Sequence, residues 1–365
     1  MNKRVHAWCA AFLFLPVFAF AQQPPAPEPS APQSPALAPR PSNQPPLATP
    51  EGRIHLDVVV TDRPGKPISG LTPEDFTLKD NGLPATILSF KEIDPAAQPG
   101  SHPAEVILLI DAVNEGFQTA ARSRQEIARF LRENGGHLPQ PVSVFVLNSD
   151  GVKVLLQPSM DGSTLAAQLD QSESKLRVIG RSGGINGAFE RYDLSIRAMS
   201  LIAKSEVKRP GRKLLIWAGS GWPLLERPGI EISSQAQHQM FNEVVDLSTT
   251  LREARMTVYS VSLGEPQLGT YLYEGYLKGV KTPERINPAN LSLKVLAIQS
   301  GGRVLPPNND LTGQIEICVQ DAGPSYTLSF DPPRADKANE YHDLKIEIDK
   351  PGLTARTETG YYNQP

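Results

Sequence analysis

Three short polar stretches each follow a run of apolar residues: Asp111-Ala112-Val113-Asn114-Glu115 after 106–110, Asn148-Ser149-Asp150 after 142–147, and Ala218-Gly219-Ser220-Gly221-Trp222 after 214–217. A serine between glycines at the end of a buried strand is the setting of a nucleophile elbow, where a strained turn presents the hydroxyl to a histidine base. That Gly-x-Ser-x-Gly pattern needs glycine at both outer positions, and it fails here at Ala218 and Trp222. Beyond His6, the histidines are His55, His102, His137, His238 and His342, and none carries a local acidic partner that marks it. The expectation is a protein without catalytic activity, and the alternative is a serine hydrolase acting through Ser220. Gly180-Arg181-Ser182-Gly183-Gly184 lacks both glycine patterns that cradle phosphates. No Cys/His cluster has zinc spacing.

Trp222 follows small residues, which suggests an exposed ring able to anchor a partner. Trp217, inside the apolar run, reads as core. The stretch 263–288 is too long for a plain connection and carries Tyr271, Tyr273 and Tyr276. These tyrosines either pack inward or extend the same binding end.

The elements that position these residues follow from periodicity. Residues 106–110 are apolar at every position, as in a strand covered on both faces of a parallel sheet. A helix is expected over 119–133, a strand over 142–147, helices over 163–172 and 191–207, a strand over 214–217, a helix over 234–254 and a strand over 256–261. Asn290 is expected to cap a helix through 298, Gly301-Gly302 to end it, 303–305 to form a short strand, and Asp310 to cap a last helix through 319. Helices alternating with buried strands specify an α/β fold with a doubly wound, mostly parallel sheet. Its ligands meet the loops at the carboxyl ends of the strands.

Both flanks read as β. Residues 54–60 are β-branched and lead into turn chemistry at 62–66, implying a hairpin. Strands at 76–79 and 85–90 surround Asn81-Gly82, and three more strands are expected at 325–330, 342–348 and 354–360. Neither flank alone has enough strands to bury a face. The expected organisation is a discontinuous β-sandwich, 51–97 plus 322–365, with the α/β domain, 103–321, inserted in it.

An acidic residue ending the first buried strand, with this order of elements, resembles the von Willebrand factor type A domain. The stretches Leu71-Thr72-Pro73-Glu74-Asp75-Phe76, Leu109-Ile110-Asp111-Ala112-Val113-Asn114, Pro210-Gly211-Arg212-Lys213-Leu214-Leu215-Ile216-Trp217, Ser300-Gly301-Gly302-Arg303 and Thr359-Gly360-Tyr361 resemble more narrowly a type A-related family abundant in acidobacteria. The resemblance implies adhesion or protein binding at the top of the sheet. In metal-binding members an Asp-x-Ser-x-Ser loop, a Thr and an Asp hold a divalent ion, which suits the hard oxygen ligands magnesium prefers. Here Asp111 is kept, Val113 and Glu115 replace the serines, Phe189 stands at the Thr position and Ser220 at the third-loop Asp. Asn114, Glu115, Asp150 and Asp193 are the remaining oxygen donors. The expectation is that Asp111 caps its loop and no cofactor binds; the alternative is Mg²⁺ or another divalent cation at a degenerate site.

Composition sets the compartment. The chain has 365 residues, 21% charged, with a formal charge of −3, so no basic surface speaks for a nucleic-acid partner. Lys3 and Arg4, the uncharged apolar run 7–20 and Ala19-Phe20-Ala21 read as a secretory signal peptide over 1–21, the run being too short to span a bilayer. Eleven of the 35 prolines fall in 22–50, which reads as an extended tether. Of the two cysteines, Cys9 leaves with the signal, so Cys318 has no intrachain partner. The sequence therefore predicts an exported binding protein, periplasmic, surface-exposed or secreted, without a transmembrane span and with a protein or cell-envelope component as its partner.

Overall fold

The computed structural model describes residues 52–97, 104–172, 184–225, 232–266 and 271–365. The expected signal peptide and tether, His102 and residues 180–183 lie outside them. In chain order the elements are β1 (Ile54–Thr61), β2 (Phe76–Asp80), β3 (Leu83–Pro84), β4 (Ser89–Ile93), β5 (Ala104–Asp111), α1 (Phe117–Arg132), β6 (His137–Asn148), β7 (Gly151–Asp161), α2 (Gly162–Gln171) and α3 (Gly184–Glu206). There follow β8 (Arg212–Ala218), α4 (Ser234–Glu253), β9 (Met256–Val261), α5 (Leu293–Gln299), α6 (Leu311–Val319), β10 (Ser325–Phe330), β11 (Glu340–Ile348), β12 (Thr354–Arg356) and β13 (Gly360–Asn363).

A strand that is apolar on both faces is stable only where both faces are covered, and β5 is buried at every residue. It is the centre of a five-stranded sheet of order β7-β6-β5-β8-β9. β6, β5, β8 and β9 run parallel, and β7 returns antiparallel at the edge. The pleat sends Ile107 and Leu109 into one core with Met199 and Ile202 of α3 and Val244 of α4. Val106, Leu108 and Ile110 point into the other, with Ile127 of α1, Leu165 of α2 and Ile315 of α6. Burying these side chains on both faces supplies the main stabilisation of this part, each fully buried Leu or Ile contributing about 1.5–3 kcal/mol. Cys318 is buried in the second core.

The flanking segments intermix. One four-stranded sheet has the order β12-β1-β10-β4 and the other β13-β11-β2-β3, so each contains strands from before and after the parallel sheet. Their inner faces share an apolar core that includes Leu56, Val58, Phe76, Leu328, Leu344 and Tyr361. Polar anchors tie these sheets to the α/β part. Arg255, after α4, donates to Asp57 of β1. The fully buried Asp321 accepts from Tyr259 Oη of β9 at 2.9 Å and from Arg356 Nη2 of β12 at 2.7 Å.

Several elements differ from the sequence reading. Residues 62–66 do turn the chain, but only a bridge between Thr61 and Pro67 follows; β1 pairs instead with β10 and β12, where its alternating apolar side chains find cover. The expected strand 85–90 is replaced by the short β3 beside β2 and by β4, which crosses to the other sheet. The last expected strand likewise divides into β12 and β13, one in each sheet. α5 is capped by Ser292, not Asn290, which lies in the preceding 3-10 turn Pro288–Leu291. Residues 303–305 contribute a single parallel bridge, Ser260 to Val304. β7 was not expected: its half-exposed, mixed residues lack an apolar period, although Asp150-Gly151 at its start is a hairpin signal. Among the described residues no helix is long and apolar enough to cross a membrane.

Candidate functional site at the carboxyl end of the sheet

The chain leaves β5 towards β6 on one side and reaches β8 on the other, so the carboxyl ends of β5 and β8 flank a crevice. Parallel pairing sets Leu109 opposite Trp217 and Ile110 opposite Ala218. The period of two that turns Ile107 and Leu109 towards α3 turns Asp111 the same way, and Trp217 shares that face.

Asp111 is fully buried, and both of its carboxylate oxygens are occupied by donors of the protein. Oδ1 accepts the backbone N–H groups of Val113 at 3.0 Å and Asn114 at 2.9 Å. Oδ2 accepts Asn114 Nδ2 at 2.8 Å and the indole Nε1 of Trp217 at 2.8 Å. The Asn114 amide is oriented by this contact, since a carboxylate can only accept; its Nδ2 also donates to Ser195 Oγ of α3 at 3.0 Å. Burial pushes the Asp111 pKa above the usual carboxylate range, and the donors oppose that rise. The loop is thus closed by a side-chain cap, as the sequence reading expected.

Gly219 lets β8 pass over this cap, because a Cβ there would stand 2.7 Å from Asp111 Cβ. The next residue, Ser220, is exposed, and its backbone N–H donates to Glu115 Oε1 at 2.5 Å. Its hydroxyl reaches only the Gly221 carbonyl, at 3.5 Å, and no described histidine bonds to it. A Ser–His pair is therefore not assembled among the described residues.

Trp222 corrects an expectation. Its ring is only 4% exposed, packs edge-on against Trp217 with centroids 5.3 Å apart, and donates Nε1–H to the Leu291 carbonyl at 3.0 Å. The small residues before it let the chain turn back into the core, and so it is no projecting anchor. Asp111, Asn114, Glu115, Ser220 and Trp222 are brought together. Asp150 lies in the β6–β7 turn and pairs with Lys153 at 3.1 Å, while Asp193 pairs with Arg197 on the exposed side of α3.

A resident divalent cation of the kind the family resemblance implies does not fit these residues. Mg²⁺ and Ca²⁺ need several oxygen ligands. The Asp111 oxygens already hold four N–H groups, Glu115 holds Ser220, and Val113 offers no side-chain oxygen. Asn114 Oδ1 is the one buried oxygen of the cluster without a hydrogen bond, a single neutral ligand. Among the described residues no group of three or more His, Cys, Asp and Glu side chains is placed to hold a metal.

Beside the cap lies an open cavity of about 490 Å³. Asn114, Arg191, Ser220, Trp222, Tyr273 and Lys294 are among its lining residues. Lys294 Nζ stands 5.7 Å from the Tyr273 ring centroid, a cation–π arrangement. Burial lowers the Lys294 pKa. Close in sequence to lining residues, Phe117 is 61% exposed and Leu272 59%, and Ile185, Phe189 and Tyr271 are also exposed. Of the tyrosines in the long loop, Tyr273 packs inward, Tyr271 faces outward and Tyr276 is half-buried, so the two readings divide among them.

Trp217, Ser195, Arg191 and Lys294 were missed as site residues. Trp217 was readable in principle, since it and Asp111 follow the same pleat on paired strands. Arg191 and Lys294 come from helices far apart in sequence, and nothing local marks either.

Searches against known protein families and curated proteins find no match. Among solved structures the chain is similar to the VWA domain of SpRpn10, with 12% identity over 59% of this chain and 94% of that one and a TM-score of 0.31. It is also similar to the human COPII-coat protein Sec24c, with 9% identity over 75% of this chain but 46% of the other and a TM-score of 0.30. A third is the N-terminal domain of TFIIH p34, with 15% identity over 53% and 96% and a TM-score of 0.25.

Proposed function

We propose that this chain is an exported, non-enzymatic binding protein of adhesion type that meets a protein or cell-envelope partner through the carboxyl end of its parallel sheet, without a bound metal. The observation that carries the reading is the pairing of a sealed Asp111 with an open cavity beside it, with exposed apolar side chains close in sequence to the residues that line it. Exposed apolar patches beside a concave site mark interaction surfaces. Export rests on the apolar run 7–20 and its basic start, the spacer role on the prolines of 22–50, and the narrower kinship with the acidobacterial type A-related group on the motifs quoted above. The two-module organisation, with the α/β part inserted between the β segments, belongs to the same proposal; the mixing of strands from both segments supports it. The non-enzymatic reading is supported by the Ser220 hydroxyl, which reaches the Gly221 carbonyl and, among the described residues, no histidine.

Photo-crosslinking tests the docking surface. Benzoylphenylalanine is placed at Phe117, at Leu272 and, as a control on α6, at the exposed Ile317, and the protein is irradiated in envelope extract. The expected result is one discrete adduct shared by positions 117 and 272 and missing at 317. No adduct at positions 117 and 272, or the same adduct at all three, would overturn the reading.

A further inference from the structure

A second open cavity, of about 500 Å³, lies at the opposite end of the parallel sheet, where β5 and β6 begin. It shares no lining residue with the cavity beside Asp111. Along one face of β6, positions 138, 140, 142, 144 and 146 read Leu, Gln, Val, Val and Val, so one amide interrupts an apolar row. Gln140 is only 8% exposed and lines the cavity, and among the described residues its side chain has no hydrogen-bond partner. A buried amide without a partner is costly, so one that faces a cavity points to a ligand.

The charge of that ligand follows from two further lining residues, Glu133 beside the end of α1 and Glu316 of α6. Their carboxyl groups are hydrogen-bonded to each other, which requires a proton on one of them. That bond, followed by burial, holds the Glu133 carboxyl up at about 7. Asp310 adds to the rise and Arg129 opposes it, but the Arg129 guanidinium bonds to Glu126 and Asp310; His137 lines the same cavity. Two carboxyl groups that can ionise together only at a cost favour a cation between them. Mg²⁺ or Ca²⁺ needs more oxygen ligands than two carboxyls and an amide, and among the described residues no group of three His, Cys, Asp or Glu is placed to hold a metal. An ammonium has three N–H donors and no acceptor, which matches three acceptors.

We infer that this cavity binds a primary ammonium on an aliphatic stem, its N–H groups shared among Glu133, Glu316 and Gln140 Oε1 and its stem laid on Phe130, Leu138 and Val319. The ammonium takes the place of the proton between the carboxyls, the pair becomes fully ionised, and the proton leaves to solvent.

The test titrates the full chain with butylammonium at about pH 7 by calorimetry, once in phosphate and once in MOPS. Binding is expected in both, with heats that differ by the ionisation of the buffer that takes up the proton. Glu316→Gln and the nearly isosteric Gln140→Leu should each weaken binding at least about tenfold, and Glu133→Gln should also abolish the buffer difference. Tetramethylammonium, which carries the charge without N–H groups, and Mg²⁺ should bind at least about tenfold more weakly. Unchanged thermal unfolding of the variants shows that the fold is kept. No binding of butylammonium, equal binding of tetramethylammonium or Mg²⁺, or undiminished binding by Glu316→Gln and Gln140→Leu would overturn the inference. Nα-acetyl-lysine methylamide separates the sources of the ammonium: binding tighter than that of butylammonium supports the site as one for a lysine side chain, and weaker binding supports it as one for a free amine.

Discussion

The indole Nε1–H of Trp217 donates to Oδ2 of Asp111 over 2.8 Å, joining the ends of two neighbouring parallel strands inside the core. That bond, with three more from the Asp111 loop, leaves the carboxylate turned inward. The acid at the end of the first strand is therefore a structural cap in this chain.

Trp217→Phe keeps most of the ring volume and removes the donor. A hydrogen bond to a buried charged group contributes about 1.5–3 kcal/mol, so the variant should lose stability in that range. Urea unfolding measures it, and a change near zero would show that the bond contributes nothing.

Gly219→Ala places a methyl group 2.7 Å from Asp111 Cβ, and the four hydrogen bonds hold Asp111 against moving aside. Overpacking of this kind costs about 1–3 kcal/mol. Gly116→Ala in the same loop region has open space around the new methyl and should change stability by less than about 0.5 kcal/mol. Thermal unfolding of the pair separates crowding from any general effect of alanine.

Stability should fall as pH rises through neutrality. Near the end of α1, Glu133 shares a hydrogen bond with Glu316, and this bond, followed by burial, raises the Glu133 pKa to about 7. A folded-state pKa above the unfolded value means that the folded chain holds its proton more tightly. The stability this contributes is full below the unfolded pKa, near 4.5, and is lost as pH climbs through about 7. Glu133→Gln should flatten that part of the profile, as read by urea midpoints between those pH values.

The parts legible in the sequence are those with a local signature. Residues 106–110 announced a central strand because no position is polar, and Asp310 announced the start of α6 through its capping oxygen, which accepts Gly313 N–H at 3.1 Å. Asp111 was legible as a loop cap for the same local reason. Trp222 was misread because small neighbours signal a turn but not its direction, and the ring follows the chain inward to Leu291. β4 and β12 were misplaced because a strand's period gives its faces and not its partner, so nothing local states which sheet it joins. Arg191 of α3 and Lys294 of α5 line one cavity, a relationship that exists in three dimensions alone.

The most direct test of a docking surface that works without a cation is to repeat the position-117 crosslink in chelator and again in excess Mg²⁺. The adduct is expected to form to the same extent in both, because Asp111 has no oxygen to spare for a metal. An adduct that disappears in chelator and returns with Mg²⁺ would contradict the account.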